Sequence, residues 1–175
     1  MNARATATAL KVSEMRSALR FFPAMSIVLI LDWLTKTWAE QTLSLYTPMP
    51  LIGQFFRLTL GYNTGVAFGL FANGGVGPLI LTGIIILILA VWLARALRAG
   101  EIPPVAAFPI GMILGGAVAN FMDRLPDGRV TDFLDMGFNA TRFPTFNLAD
   151  SFIVAGVAIL VLISLVPKSR TEVAA

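Results

Sequence analysis

Four apolar runs, each about as long as a bilayer is thick, constrain the fold of this chain more than any other feature. They cover approximately residues 21–40, 78–97, 105–124 and 148–166, and a helix of about 20 residues crosses a hydrocarbon core of about 30 Å. Only 13% of the residues are charged, against about 25% in soluble domains. The sequence therefore predicts an all-α membrane protein, a four-transmembrane-helix bundle in which residues 1–175 form a single membrane-embedded domain.

Basic residues outside these runs indicate how the helices are oriented. Four crossings put both termini on one side of the membrane, and most Lys and Arg residues lie on that side, at Arg4, Lys11, Arg16, Arg20, Arg95, Arg98, Lys168 and Arg170. The opposite connections contain Arg57, Arg129 and Arg142. Because short cytoplasmic loops are enriched in basic residues, we expect cytoplasmic termini and extracytoplasmic segments at 41–77 and 125–147.

The first extracytoplasmic segment has the periodicity of a strand. Apolar and polar residues alternate over residues 56–60, and the turn-forming residues Gly61, Asn63 and Gly65 follow. Residues 73–77 contain three glycines, which is typical of a flexible loop. We predict a small extracytoplasmic β-sheet or hairpin on the membrane surface.

The absence of Cys and His from the sequence excludes several kinds of catalytic site. Thiol nucleophiles, Ser-His triads and zinc sites with imidazole or thiolate ligands need one of these residues. The net charge of +3 comes from dispersed cations rather than from the basic stripe that nucleic-acid binding needs. Acid–base chemistry must therefore come from carboxylates or lysines, and we expect no metal, no cofactor and no nucleic-acid partner.

The first apolar run contains Asp32 and Lys36, which are one helical turn apart. This spacing suits an ion pair near the outer boundary, so we interpret both residues as structural polar groups. A basic segment leads into this run, as in a secretory signal peptide. Because the run is long and contains a charged pair, we expect it to remain as an uncleaved span.

Three carboxylates are predicted to lie at a similar depth near the outer boundary. Asp123 lies near the end of the third run, Asp150 lies near the start of the fourth, and Asp132 lies between apolar neighbours in the connecting segment. Ionisable groups at this depth need partners or a watery cavity, which makes them functional candidates. Two close carboxylates share one proton, so that one acts as a base and the other as an acid. Spacing alone leaves open whether Asp123 or Asp132 pairs with Asp150.

Each carboxylate also has a structural interpretation. Asp123 shares a helical face with Asn120 and Arg124, where it would form a helix-end ion pair. Asp150 follows Asn147 at a helix start, where Asn and Asp are common capping residues. Charges at Asp127 and Asp135 are typical of a solvated loop.

Three other functions are compatible with such a pattern. A proton- or ion-coupled transport subunit would use the same carboxylates as relay groups, although these groups sit at one boundary and not through the membrane depth. A Mg²⁺ or Ca²⁺ site of Asp and Asn oxygens would act on lipid phosphates. A purely structural subunit would use the polar residues to hold its helices together.

Five short motifs, in order along nearly the whole chain, resemble those of the lipoprotein signal peptidase family, also called signal peptidase II. They are D-x-x-[ST]-K at 32–36, N-x-G-x-[AS]-F at 63–68, N-x-x-D-R at 120–124, V-x-D-F at 130–133 and F-N-x-A-D-S at 146–151. The family usually has Gly before the third motif, where this chain has Ala119. Each motif alone is weakly specific, whereas five in order are strongly so.

This resemblance implies an aspartyl endopeptidase of the bacterial cytoplasmic membrane that cleaves lipid-modified prolipoproteins just before the diacylglyceryl cysteine. It implies a catalytic pair of Asp132 and Asp150. The residues that it implies as substrate-binding or supporting are Asn63, Gly65, Asn120, Asp123, Arg124, Val130, Asn147 and Ala149. We expect a monomer in contact with bilayer lipids, with the sheet and the loop around Asn63 clamping an extended peptide.

Overall fold

The structure, a computed structural model, describes residues 3–65 and 76–166 and contains four helices and four strands. In chain order the elements are α1 (Ala3–Thr42), β1 (Met49–Ile52), β2 (Phe56–Asn63), α2 (Gly77–Arg98), α3 (Pro104–Asp127), β3 (Val130–Phe138), β4 (Thr141–Arg142) and α4 (Leu148–Leu165). All four helices are long and apolar enough to cross a membrane. The predicted four-helix membrane protein with a small sheet is confirmed.

Helix α1 begins well before the apolar run that predicted it. Hydropathy detects only the part that suits lipid, whereas the preceding basic segment continues the same helix. In the N-terminal half of α1, the hydroxyl of Ser17 donates a hydrogen bond to the carbonyl of Ile102 in the α2–α3 connection, over 2.8 Å. This contact ties α1 to the end of the bundle opposite the sheet.

The strands form one antiparallel sheet in the order β1-β2-β3-β4. Leu58 and Leu60 of β2 and Phe133 of β3 are buried against Ala39 near the end of α1. Leu58 and Leu60 belong to the apolar half of the predicted alternation. This packing fixes the sheet to the end of the bundle where α1 and α3 terminate and α4 begins.

The prediction that Gly61 and Asn63 form a turn is wrong. Strand β2 continues through both residues, which pair with Asp132 and Val130 of β3 after a shift in register. Pairing with a distant strand therefore overrides the local turn preference of these residues. Residues 66–75 lie outside the described residues, and they include most of the loop predicted at 73–77.

Small residues let the backbone of α3 approach its neighbours closely. A methyl group added at Gly111 or Gly115 would lie within about 3 Å of backbone atoms of α1, and one at Gly116 would lie 2.6 Å from the carbonyl oxygen of Ala149 in α4. Close approach of this kind is typical of packed membrane helices. It also sets the distance between the polar residues at the end of α3 and the start of α4.

A buried ion cluster holds the two hairpins of the sheet together. Asp135 is only 3% exposed and accepts hydrogen bonds from Arg57 over 2.7 Å, from Thr59 over 2.7 Å and from Arg142. Burial alone would raise the pKa of Asp135, but these hydrogen bonds outweigh it and hold the pKa below its usual value. The expectation of a solvated charge at Asp135 is therefore wrong, because the distant strand β2 supplies Arg57 and Thr59, and the neighbouring strand β4 supplies Arg142. Asp127, by contrast, has a side chain 44% exposed and pairs with Arg129.

We predict that Gly116→Ala destabilises the protein. The added methyl group would lie 2.6 Å from the carbonyl oxygen of Ala149, and overpacking of this kind typically lowers the free energy of unfolding by about 1–3 kcal/mol. Gly83→Ala is the matched control, because its methyl group would meet only the movable ring of Phe121, at 3.1 Å. Thermal unfolding in detergent should show a lower midpoint for the first variant and an unchanged or higher midpoint for the second.

We also predict that Asp135→Asn loosens the sheet. Loss of a hydrogen bond to a charged group typically lowers the free energy of unfolding by about 1.5–3 kcal/mol. Asp127→Asn removes the exposed ion pair with Arg129 and should change stability by less than about 1 kcal/mol. Both variants are compared by denaturant unfolding, and equal effects would contradict a special role for the buried cluster.

Candidate active site

Polar residues from four elements converge where α1 and α3 end and α4 begins. They are Asp32 and Lys36 of α1, Asn120, Asp123 and Arg124 of α3, Asp132 of β3, and Asn147 and Asp150 at the start of α4. Hydrogen bonds and ion pairs connect them into one network. The sequence places these residues far apart, so the network is a product of the tertiary structure.

The start of α4 positions Asp150. The side-chain oxygen of Asn147 accepts a hydrogen bond from the backbone N–H of Asp150 over 2.9 Å, and the backbone N–H of Asn147 donates to the Asp150 carboxylate over 3.2 Å. This reciprocal arrangement is a capping box. The positive end of the helix dipole also stabilises a negative charge in the first turn, so Asp150 combines the capping role with a place in the network.

Asp132 is the buried carboxylate next to Asp150. It is 2% exposed, and its Oδ1 accepts a hydrogen bond from Nδ2 of Asn147 over 2.8 Å. The Asn63 side chain forms a further hydrogen bond to it. Desolvation, followed by the nearby charge of Asp150, raises the pKa of Asp132 from 3.8 to about 7. Asn147 therefore contacts both carboxylates, and their charges interact.

Asp123 is engaged elsewhere in the network. Its carboxylate lies 3.1 Å from Nζ of Lys36 and accepts the backbone N–H of Thr131 over 2.8 Å. Its ion-pair partner is on α1, and the interpretation of an ion pair with the adjacent Arg124 is wrong, because consecutive residues on a helix point in different directions. Asp123 thus fixes the start of β3, one residue before Asp132.

Asp32 and Lys36 form the ion pair expected from their spacing, over 2.7 Å. Oδ1 of Asp32 also accepts the backbone N–H of Ala149 over 2.8 Å, which joins α1 to the first turn of α4. Nζ of Lys36 reaches Oδ1 of Asn120 over 2.9 Å. Sequence reasoning missed both contacts, because they depend on how the helices pack.

The remaining candidates surround the carboxylates. Val130 and Ala149 are buried, and Asn63 pairs with Val130 in the sheet. The guanidinium of Arg124 donates to the carbonyl of Gly65 over 2.6 Å. Within residues 3–65 and 76–166, Nε of Arg124 is the one buried side-chain nitrogen or oxygen that has no hydrogen-bond partner.

Glu40 and Thr131 belong to the site but were not identified from the sequence. The hydroxyl of Thr131 donates to Oε1 of Glu40 over 2.7 Å. Because the Thr131 N–H is bound to Asp123, α1 and α3 hold this residue from two sides. The only sequence signal was the position of Thr131 directly before Asp132.

The described residues contain no group of three or more acidic side chains arranged to hold a metal ion. Asp32 and Asp123 both face Lys36 instead. This arrangement gives no geometric support to the Mg²⁺ or Ca²⁺ alternative. The chemistry that the site can perform is proton exchange between Asp132, Asp150 and a water or substrate atom.

Comparisons with known proteins agree on one family. The model of a family described as signal peptidase (SPase) II matches residues 24–166. Proteins named lipoprotein signal peptidase from Xanthomonas axonopodis pv. citri and Brevibacillus brevis are each 36% identical to this chain, covering 89% and 81% of it and 91% and 92% of their own lengths. A solved structure described as a bacterial membrane enzyme has a TM-score of 0.71 and 28% identity, covering 85% of this chain and 87% of its own.

We predict that Asp132→Asn changes how stability depends on pH. The native pKa of Asp132, about 7, lies above the ordinary value of 3.8, so the native state binds more protons than the unfolded state between these values. The contribution of Asp132 to stability is therefore fully present below about pH 4 and is lost as the pH rises through 7. Asn carries no titratable charge, so the unfolding midpoint of the variant, relative to wild type, should rise from pH 5 to pH 8. A difference that stays constant over this range would contradict the raised pKa.

Proposed function

Because the chain belongs to the signal peptidase II family, we propose that it is a membrane-embedded aspartyl endopeptidase that removes the signal peptide from lipid-modified prolipoproteins. The protease activity and the prolipoprotein substrate follow from the family. The aspartyl mechanism rests on one observation, which is that Asn147 contacts both Asp132 and Asp150. These two carboxylates are the proposed catalytic pair.

In the resting enzyme, the two carboxylates have different roles. Asp150 lies in the first turn of α4 and accepts N–H bonds from Asn120 and Asn147, so it is the negatively charged member. Asp132 is more buried, with a pKa raised to about 7, so it holds the shared proton near neutral pH. An acid and a base are thus available together without Cys, His or a metal.

Hydrolysis proceeds in two steps. Asp150 removes a proton from water, the water oxygen bonds to the carbonyl carbon of the scissile peptide, and the proton of Asp132 passes to the carbonyl oxygen. In the second step the C–N bond breaks, the proton on Asp150 passes to the leaving nitrogen, and a proton returns to Asp132 as the new carboxyl group forms. Water is the only reactant consumed besides the peptide.

The surrounding groups suit an extended peptide. Arg124 has an unused buried Nε, and Asn63 lies at the end of β2 beside Asp132. We propose that Asn63, Gly65 and Arg124 bind the substrate backbone, which would add to the sheet as a strand. The expected clamp consists of the sheet and the loop around Asn63, and residues 66–75 of this loop lie outside the described residues.

The substrate determines where the site must lie. A diacylglyceryl group and a signal helix keep the prolipoprotein in the bilayer, so cleavage takes place at the membrane boundary after lateral approach. We propose that both termini are cytoplasmic and that the site faces the extracytoplasmic side of the bacterial cytoplasmic membrane. The end of α2 away from the site contains Arg95 and Arg98, as the positive-inside rule requires. We further propose that the protein is a monomer whose exposed apolar helix faces contact bilayer lipids.

The family assignment leaves the transport alternative without support. The acidic residues of the site also lie together at one end of the bundle, whereas a transport path must reach both faces of the membrane. Cleavage by the proposed mechanism should continue in the presence of a chelator, which separates it from the Mg²⁺ or Ca²⁺ alternative.

We predict that Asp132→Asn and Asp150→Asn are each inactive but folded. Asn has nearly the same shape as Asp but cannot exchange the proton. Asp127→Asn, at the exposed ion pair, is the control and should cleave at the wild-type rate. Activity is measured on a lipid-modified precursor by gel shift, and folding by thermal unfolding in the same detergent.

Asp123→Asn has a different expected outcome in the same assay. Because Asp123 binds Lys36 and the Thr131 N–H, its loss should lower both activity and stability through displacement of β3. Full activity of either Asp132→Asn or Asp150→Asn would contradict the catalytic pair. An inactive Asp123→Asn protein of undiminished stability would assign Asp123 a direct chemical role.

A further inference from the structure

Lys36 makes more contacts than a structural ion pair with Asp32 requires. Its ammonium group has three N–H donors, and three acceptors surround it: Asp32 over 2.7 Å, Asn120 over 2.9 Å and Asp123 over 3.1 Å. Its side chain is 6% exposed. Of these contacts, the one to Asn120 leads toward the proposed catalytic pair.

The contact with Lys36 is one of two that decide which way the Asn120 amide points. An ammonium group can only donate, so Oδ1 of Asn120 must face Lys36. Nδ2 of Asn120 then faces Asp150 and donates to its Oδ1 over 2.8 Å. The amide therefore presents its donor, rather than its acceptor, to the carboxylate.

The second amide of the site, that of Asn147, is oriented by a backbone N–H of α4. The Asp150 backbone N–H donates to Oδ1 of Asn147, so Nδ2 of Asn147 must face Asp132 and Asn120. It donates to both, over 2.8 Å and 3.0 Å. Both amides are thus committed to one orientation. A backbone donor orients Asn147, whereas two donors, Lys36 and Nδ2 of Asn147, meet at Oδ1 of Asn120.

We propose that Lys36 is a positioning residue, which holds Asn120 with its N–H₂ group toward Asp150 so that Asp150 is the carboxylate that remains ionised. The catalytic consequence rests on the function proposed above. The orientation itself is a property of the resting protein and is testable without substrate.

Several charged groups surround the pair, so Lys36 acts on it through its charge as well as through Asn120. Asp32 and Lys36 face the pair from α1, and Asp123 and Arg124 face it from α3, while Glu40 reaches it through Thr131. Two carboxylates bind the single ammonium group of Lys36, but its charge still acts to lower the pKa of Asp132. A test of the hydrogen bond to Asn120 must therefore separate the effect of this bond from the effect of the charge.

The test removes the donor together with its more buried carboxylate partner. Lys36→Met with Asp32→Asn exchanges that ion pair for two neutral side chains, which is better tolerated than loss of one partner. Asp123 loses its cation, but it keeps the N–H of Thr131 and its side chain is 26% exposed. We expect kcat on the lipid-modified precursor to fall by about tenfold to a hundredfold, as for loss of a hydrogen bond to a charged group, with little change in KM. A merely structural role of Lys36 would instead lower the unfolding midpoint and leave kcat of the folded protein unchanged.

A double-mutant cycle tests whether Lys36 acts through Asn120. Asn120→Ala should cause a similar loss of kcat. Adding the two substitutions Lys36→Met and Asp32→Asn to Asn120→Ala should cause little further loss. Losses that multiply independently would overturn the proposal.

An infrared titration separates this proposal from the proposed function. The carbonyl stretch of the protonated carboxyl pair, assigned through Asp132→Asn, is followed against pH in detergent without substrate. In the variant with Lys36→Met and Asp32→Asn, this carbonyl stretch should titrate at higher pH than in the wild type. Asp32→Asn alone keeps the Lys36–Asn120 contact and should cause no such upward shift. Lys36→Arg retains a donor, and it should titrate as the wild type does.

The outcomes are distinct. If wild-type protein fails to cleave the precursor, the proposed function fails, while the titration still decides the role of Lys36. If the neutral exchange titrates at the wild-type pH, or if Lys36→Arg shifts the titration as far as the exchange does, Lys36 does not position Asn120.

Discussion

The unfavourable free energy of burying charge organises this end of the molecule. A carboxylate beside an apolar bundle persists only where hydrogen-bond donors replace water. Here the donors are backbone N–H groups at the start of α4, amide groups of Asn120 and Asn147, and the single ammonium group of Lys36. Apart from the Lys36–Asp32 pair within α1, each donor comes from a different element than its acceptor or from a helix terminus. Satisfying the charges therefore also fixes how the elements meet.

The apolar scaffold makes these polar contacts possible. Gly116 lets α3 approach the first turn of α4, which places Asn120 within reach of Asp150. The sheet positions Asp132 from the other side, through packing against Ala39 and through the buried Asp135 cluster between its hairpins. Packing and electrostatics therefore determine the same geometry, and a change in either should disturb the site.

Local sequence patterns predicted much of the fold. Each membrane helix is detectable because lipid requires a continuous apolar run, and the alternation at residues 56–60 identified the core of β2 because one face of a strand is buried. The turn assigned to Gly61 and Asn63 was wrong because β3, about 70 residues later, supplies a pairing partner that local propensity cannot include. The length of α1 was underestimated because hydropathy does not report helix that lies beyond lipid.

The sequence predicted which residues form the site better than it predicted which of them contact each other. Carboxylates at matching depth were evident from the sequence, yet spacing could not distinguish Asp123 from Asp132 as the neighbour of Asp150. The distinction depends on Lys36, which binds Asp123, and helix packing alone decides that contact. Asp135 was misjudged for the same reason, since Arg57 and Arg142 surround it only in the folded sheet.

The contacts of α1 impose an order on assembly in the membrane. Lys36 meets Asn120 across 84 residues of sequence, and Asp32 meets the Ala149 N–H across 117. During synthesis α1 is therefore made before Asn120 and Ala149 exist, so Asp32 and Lys36 first have partners only within α1. The proposed catalytic pair is complete only after the last helix has been made, so a chain that ends before α4 should be inactive.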